Sequence, residues 1–312
     1  MMLGKTAGGV FWMFRYLERS ENTARLIEAG FRIALTRPGS EEWTSVLKTA
    51  AAEQAYREAH GEVVQSKVID FLLRDPQNPS SVMSSYAQAR QNARTVRTAI
   101  TQEVWEAVND AYITLKKRLA RPVAERDLPD VLAQIRQHSG LVRGALHGSM
   151  LRNDVFDFCR LGTFLERADN TARILDVKYY VLLPSVTQVG SSLDNVQWET
   201  ILRSVSGVRS YSWLNQGKAT PMGIADFLIF DPRMPRSLRS SVNKIRSNLT
   251  MLENEYLEQH SCHETVEKLH RCLSTSSVEE VFEEGLHEFL TEFLANIARL
   301  GAEIEADYRF TE

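Results

Sequence analysis

Cysteine is scarce. Cys159, Cys262 and Cys272 are the only three in 312 residues. That is too few for a disulfide framework, and a reducing compartment is expected. No uncharged run approaches the roughly 18 residues a membrane span needs. The N-terminus lacks the charged, apolar and small-residue zones of a secretory leader, so a cytoplasmic location is expected. Excess charge is missing too: a formal net charge of −3 gives no reason to expect affinity for nucleic acid or a membrane surface. No glycine-rich loop precedes a helix, and neither Gly-x-Ser-x-Gly nor a paired Cys-x-x-Cys occurs. Phosphate-loop, serine-hydrolase and redox readings therefore lose their sequence support, and no cofactor is expected. Strand-like alternation is absent as well.

What remains is helical period from end to end, in a chain 43% hydrophobic and 25% charged, enough for a sizeable core. The period predicts helices over about Leu3–Leu35, from Ser40 to near Gly61, over Glu62–Leu73, over Ser81–Leu119 and over Asp127–Ser149. Between them lie Arg37-Pro38-Gly39, Asp75-Pro76-Gln77-Asn78-Pro79 and Arg121-Pro122. A second half replays this order from about Asp154, and a last helix is predicted over Val278–Tyr308.

The replay is visible residue by residue. Leu17, Glu18, Arg19, Asn22, Thr23, Ala24 and Arg25 return as Leu165, Glu166, Arg167, Asn170, Thr171, Ala172 and Arg173, at a constant offset of 148. Glu21 returns as Asp169. Trp43, Val46, Leu47 and Tyr56 return as Trp198, Ile201, Leu202 and Tyr211 at offset 155. Asp75–Ser81 is answered by Asp231–Ser237 at offset 156. The slip falls in Leu183–Asn195, a longer loop than its counterpart. Ordered matches with the slip in a loop imply tandem duplication. The expected fold is all-α: one duplicated helical domain over residues 1–312 of about ten helices, with repeats of about 1–150 and 151–312 packed about a pseudo-two-fold axis.

The duplicated polar motif is the strongest candidate site. Met13, Leu17, Ser20, Ala24, Ile27 and Phe31 form one small-and-apolar face, and Glu18, Glu21 and Arg25 lie along its edge. Charges half in a core need partners. Glu21 and Arg25 are an i,i+4 pair. Glu18 and Arg25 are two turns apart, about 10.5 Å along the axis, so Glu18 and Glu166 need partners on other helices. Glu18 and Glu166 are candidate acid/base or acceptor groups. Arg19, Glu21, Asn22, Arg25, Arg167, Asp169, Asn170 and Arg173 are candidate contacts to an anionic or peptide ligand, the arginines offering their fork geometry. The rival reading makes the same residues structural ion pairs in a non-catalytic scaffold. Arg90, Arg94 and Arg97 form a row at i, i+4 and i+7; of these, Arg90 and Arg94 are further candidates for an anion.

Two Glu-x-x-His steps, Glu267/His270 and Glu284/His287, resemble di-iron helix bundles. Forty acids and seven histidines in 312 residues give about one such step by chance. His260, Cys262, His263, His270 and Cys272 lack zinc spacing on both sides. No metal is expected. Trp12, Trp43, Trp105 and Trp198 read as core anchors.

MLGKTAGGVFWMFRYLERSENTARL near the start and LGTFLERADNTARILD in the middle resemble the bacterial Alpha-E domain family, all-helical proteins with a Glu-Arg motif. The Asp-Pro-x-x-Pro-x-Ser breakers, ARQNARTVR and VWEAVND strengthen the likeness, which spans nearly the whole chain. The motif carries over as Glu18-Arg19 and Glu166-Arg167, with Arg25 and Arg173 following. The resemblance implies partners: an ATP-grasp ligase-like protein and a transglutaminase-like protein encoded nearby. It further implies a role in making or processing a peptide or amide-linked product.

Overall fold

The computed structural model describes residues 2–36, 41–181, 192–215 and 219–311. Among these the chain forms fifteen α-helices and no strand. The first half holds α1 (Gly4–Thr36), α2 (Glu41–Thr49), α3 (Glu53–His60), α4 (Gln65–Leu73), α5 (Val82–Thr95), α6 (Gln102–Arg118) and α7 (Leu128–Ser149). The second holds α8 (Asp154–Val181), α9 (Ser192–Ser204), α10 (Val208–Leu214), α11 (Pro221–Ile229), α12 (Leu238–Tyr256), α13 (Ser261–Thr275), α14 (Val278–Glu284) and α15 (Leu286–Asp307). The predicted breaker Arg37–Gly39, the Ser40 cap and residues 183–191 of the long loop lie outside the described residues. Ser192–Asn195 already belong to α9.

The count exceeds ten because several predicted helices are broken without proline. The segment from Ser40 to Gly61 splits at Ala51, whose φ of 52° cannot continue a right-handed helix. Its counterpart Ser206, with φ 56°, splits α9 from α10 in the same way. The segment Ser81–Leu119 turns back after Thr95, and Thr101 starts α6 by accepting a hydrogen bond from the Val104 N–H. The last helix breaks at Gly285, where φ is 113°.

In each half four helices pack in a ring. In the first, α1 packs on α5, α5 on α6, α6 on α7 and α7 back on α1. In the second, α8, α12, α13 and α15 do the same. The rings meet along α1 and α8, while α2 reaches across to α8 and α9 to α1. One connected apolar cluster runs through both rings. Matching details recur: Tyr56 meets Phe71 edge-on at 5.4 Å, and Tyr211 meets Phe227 edge-on at 5.5 Å. Trp43 and Trp198 are buried anchors, while Trp12 and Trp105 are half-buried beneath the guanidinium groups of Arg15 and Arg97.

Helices α1 and α8 run in the same direction. Phe11 lies against Gly162, Arg19 bonds to Glu166, and Leu26 lines the same crevice as Ile174. The approach at Gly162 is so close that a Cβ there would stand 2.1 Å from the Phe11 carbonyl oxygen. Glycine at 162 thus brings the two motif-bearing helices into backbone contact and sets the register of everything below.

Candidate functional site

Each Glu-Arg pair is completed by the other. Arg19 donates from Nε to Glu166 Oε1 at 2.6 Å and from Nη2 to Oε2 at 3.0 Å. Arg167 donates from Nε and Nη2 to the two oxygens of Glu18, both at 3.0 Å. The fork geometry of both pairs is the strong form of this contact. The missing partner of each glutamate is therefore the arginine of the opposite motif. Arg25 and Arg173 pair instead within their own helices. Arg25 donates to Glu21 at 3.1 and 2.7 Å, and Arg173 to Asp169 at 2.7 and 3.0 Å.

The two glutamates then differ. Around Glu18 the space is closed. Arg236, from the turn before α12, places Nη2 3.0 Å from Glu18 Oε1 and 2.9 Å from Glu21 Oε1, and its Nη1 donates to Asn22 Oδ1 at 2.8 Å. Arg143 on α7 bonds to Glu21 and stands 3.6 Å from Glu18. Glu18 and Glu21 are 2% and 0% exposed, so no ligand reaches them. Burial alone raises the Glu18 carboxyl pKa, but Arg167, Arg236 and Arg143 outweigh it and hold the group below the usual carboxylate range. For Glu21, burial and the neighbouring Glu18 are outweighed by Arg236, Arg143 and Arg25. Burial brings the Arg236 guanidinium down to about 10, against the pull of Glu18.

Around Glu166 the space is open. Arg15 adds a bond from Nε to Oε2 at 3.0 Å, and its guanidinium stacks over Trp12. Burial is again outweighed, here by Arg19 and Arg15, and the Glu166 carboxyl is held low. Beside it lies a cleft of about 240 Å³ whose polar wall is Arg15, Arg19, Asn22, Asn78, Ser80, Glu166, Asp169, Asn170 and Arg173. Asn22 lines this wall, and its Nδ2 is buried with no hydrogen-bond partner among the described residues. Its orientation follows from the network: Arg236 can only donate, so the Asn22 oxygen faces Arg236 and the N–H₂ is left over.

Of the residues singled out in the sequence, Glu166, Arg19, Asn22, Asp169, Asn170 and Arg173 meet at this cleft, and Glu18, Glu21 and Arg167 are enclosed behind it. Arg25 reaches the other side, donating to Ser206 Oγ at 2.5 Å. There it lines a second cleft of about 330 Å³ with Arg32, Arg136, Arg203, Arg209 and Glu28. Arg90 and Arg94 are not part of either. Arg90 ties α5 to α6 through Asn109 at 2.8 Å and stacks on Tyr112, and Arg94 is exposed. Sequence reasoning missed Arg15, Arg143, Arg236 and Ser80. Only Arg236 left a trace, as one of three mismatches, opposite Ser80, in turns that share Asp75/Asp231, Pro76/Pro232, Pro79/Pro235 and Ser81/Ser237.

Elsewhere, Glu267 accepts from Arg246 at 2.5 Å and His287 Nδ1 meets Asp176 Oδ1 at 2.5 Å. No group of three or more metal-type side chains is gathered among the described residues. Among the same residues no helix is long and apolar enough to cross a membrane.

Three curated relatives match, uncharacterized proteins of Mycobacterium bovis and Mycobacterium tuberculosis, each 24% identical over 311 residues and 92% of this chain. The chain spans 34% of their length, about a third. No solved structure matches. The family described as a predicted alpha-helical domain with a conserved ER motif matches residues 2–308. With Glu18-Arg19 and Glu166-Arg167 as the two interlocked copies of that motif, the chain belongs to the Alpha-E family.

Proposed function

We propose that this protein is a cytoplasmic ligand-binding component of a peptide- or amide-ligating or processing system, and that the cleft beside Glu166 is its site. The observation that carries the reading is a cleft whose wall gathers the guanidinium groups of Arg15, Arg19 and Arg173 beside Asn22 and Asn170. Such a wall suits a carboxylate or a peptide carbonyl. The family resemblance supplies the ATP-grasp ligase-like and transglutaminase-like partners, and the recurring turns and caps support descent of the two halves from one duplicated unit.

Glu166 here acts as a fixed acceptor and not as a proton carrier. A carboxylate held low by two arginines is a weak base at neutral pH. At Glu18, where the motif is enclosed, the scaffold reading applies: that copy ties α1, α7, α8 and the α12 turn together.

The test is co-purification of the full chain with the ligase-like protein, followed by mass spectrometry of bound small molecules. A peptide- or amide-type product is expected on the native protein and not on Arg173→Ala. That variant should keep its unfolding free energy, read from a denaturant melt, to within about 1 kcal/mol, because Arg173 is partly solvated. Equal capture by both proteins, or no product on either, counts against the cleft.

A further inference from the structure

Ser80 and Arg236 occupy the same place in two turns of the same construction. In the first turn the Asn78 N–H donates to the Asp75 carbonyl, the Ser81 N–H to the Asn78 carbonyl, and the Gln77 N–H to Asp75 Oδ1. In the second the Met234 N–H donates to the Asp231 carbonyl, the Ser237 N–H to the Met234 carbonyl, and the Arg233 N–H to Asp231 Oδ1. Ser81 and Ser237 then cap α5 and α12 alike. Residue 80 therefore faces the Glu166 motif as residue 236 faces the Glu18 motif. Among the described residues the Ser80 side chain makes one long contact, accepting from Arg19 Nη1 at 3.5 Å, whereas Arg236 sends a whole guanidinium inward.

The charge around the two places is the same. Without Arg236, Glu18 and Glu21 face the three guanidiniums of Arg25, Arg143 and Arg167. Glu166 and Asp169 face those of Arg15, Arg19 and Arg173. Three cations around two carboxylates do not keep the guanidinium of Arg236 out, because the remaining oxygen lone pairs of Glu18, Glu21 and Asn22 receive it. In the open cleft, among the described residues, Asp169 accepts only the two bonds from Arg173, out of about four that a carboxylate can take. Asn170, the counterpart of Asn22, bonds to no other described residue through its side chain.

We propose that the open cleft receives a guanidinium group of the ligand, an arginine-type side chain, seated on Asp169, Asn170 and Glu166 where Arg236 is seated on Glu21, Asn22 and Glu18. This rests on the reading of the cleft as a ligand site and specifies one end of that ligand. The guanidinium groups of Arg15, Arg19 and Arg173 then remain for a carbonyl or carboxylate elsewhere on the same molecule. The protein carries its own analogue of the bound state, with Arg236 as a covalently attached ligand head.

The experiment is calorimetric titration of the full chain with agmatine, which has a guanidinium and no carboxylate and so probes this end alone. One site per chain is expected. Ser80→Arg should abolish binding by filling the cleft as Arg236 fills its counterpart. Asp169→Asn, at a half-buried position, should weaken it about tenfold or more through loss of a charged hydrogen bond. If Ser80→Arg does not fold, Asp169→Asn decides. No heat with the native chain, or undiminished binding to either folded variant, overturns the proposal. Because agmatine binding and product capture are read separately, failure of this inference leaves the Arg173 result standing, and the reverse.

Discussion

Glu18 and Glu166 stand in matching sequence and have different surroundings. Glu18→Gln should destabilise the protein by on the order of 3 kcal/mol or more, since it removes the charge that three buried or half-buried guanidiniums share. A denaturant melt measures it, and a loss under 1 kcal/mol would mean that the enclosure is not a tie. Acidification acts in the same direction. Carboxyls whose folded pKa is lowered contribute stability that is present above about 4.5 and lost as pH falls through the lower folded value. Asp157 has the opposite sign. Burial raises its carboxyl to about 7, with Glu255 and Asp154 reinforcing the shift against Arg160. Its contribution is fullest below the ordinary value near 4 and is lost as pH rises to about 7. Asp157→Asn should therefore remove a downward slope of stability between those limits, read from melts across the range. The sequence made the motif legible, including the Glu21–Arg25 pair and the need of both glutamates for partners elsewhere. It did not reveal that Arg167 serves Glu18, because that bond joins residues 149 positions apart and depends on the register of two crossing helices.

That register belongs to the scale of the element. Gly162→Ala should cost about 1–3 kcal/mol, because its Cβ meets backbone oxygen and not a side chain that can move aside. Urea melts with an unchanged slope and a lower midpoint are the expected result. The same substitution at Gly140 or Gly144 on α7, where a Cβ meets nothing within 4 Å, should be neutral or stabilising and serves as the control. Helix type was legible everywhere among the described residues, since period and apolar content agree along the whole chain. Helix ends were legible where Pro marks them, as at Pro76 and Pro232. They were not where the break is made by a left-handed Ala51 or Ser206, residues that carry no local signal for that conformation. The turn between Thr95 and Thr101 is made by packing α5 back on α6, a tertiary requirement with only the Thr101 cap to announce it.

At the scale of the molecule the two rings share one apolar cluster, and the glutamates of each need the arginines of the other. Residues 1–150 expressed alone should therefore be unfolded or self-associated, never a stable monomer. Circular dichroism with size-exclusion chromatography reads this directly, and a folded monomeric half would show that the interlock is dispensable. The two halves' correspondence was visible in the sequence, but the inequality of their sites was not, because it hangs on one residue in a turn. That residue has a bearing on history. In an assembly of two identical chains every substitution arrives twice, so neither of two equivalent sites can be sealed while its twin stays vacant. A single chain that carries both as separate codons is free of this constraint. On the proposal that the two halves descend from one duplicated unit, Arg236 and Ser80 are the record of such freedom: one position became masonry and the other a doorway.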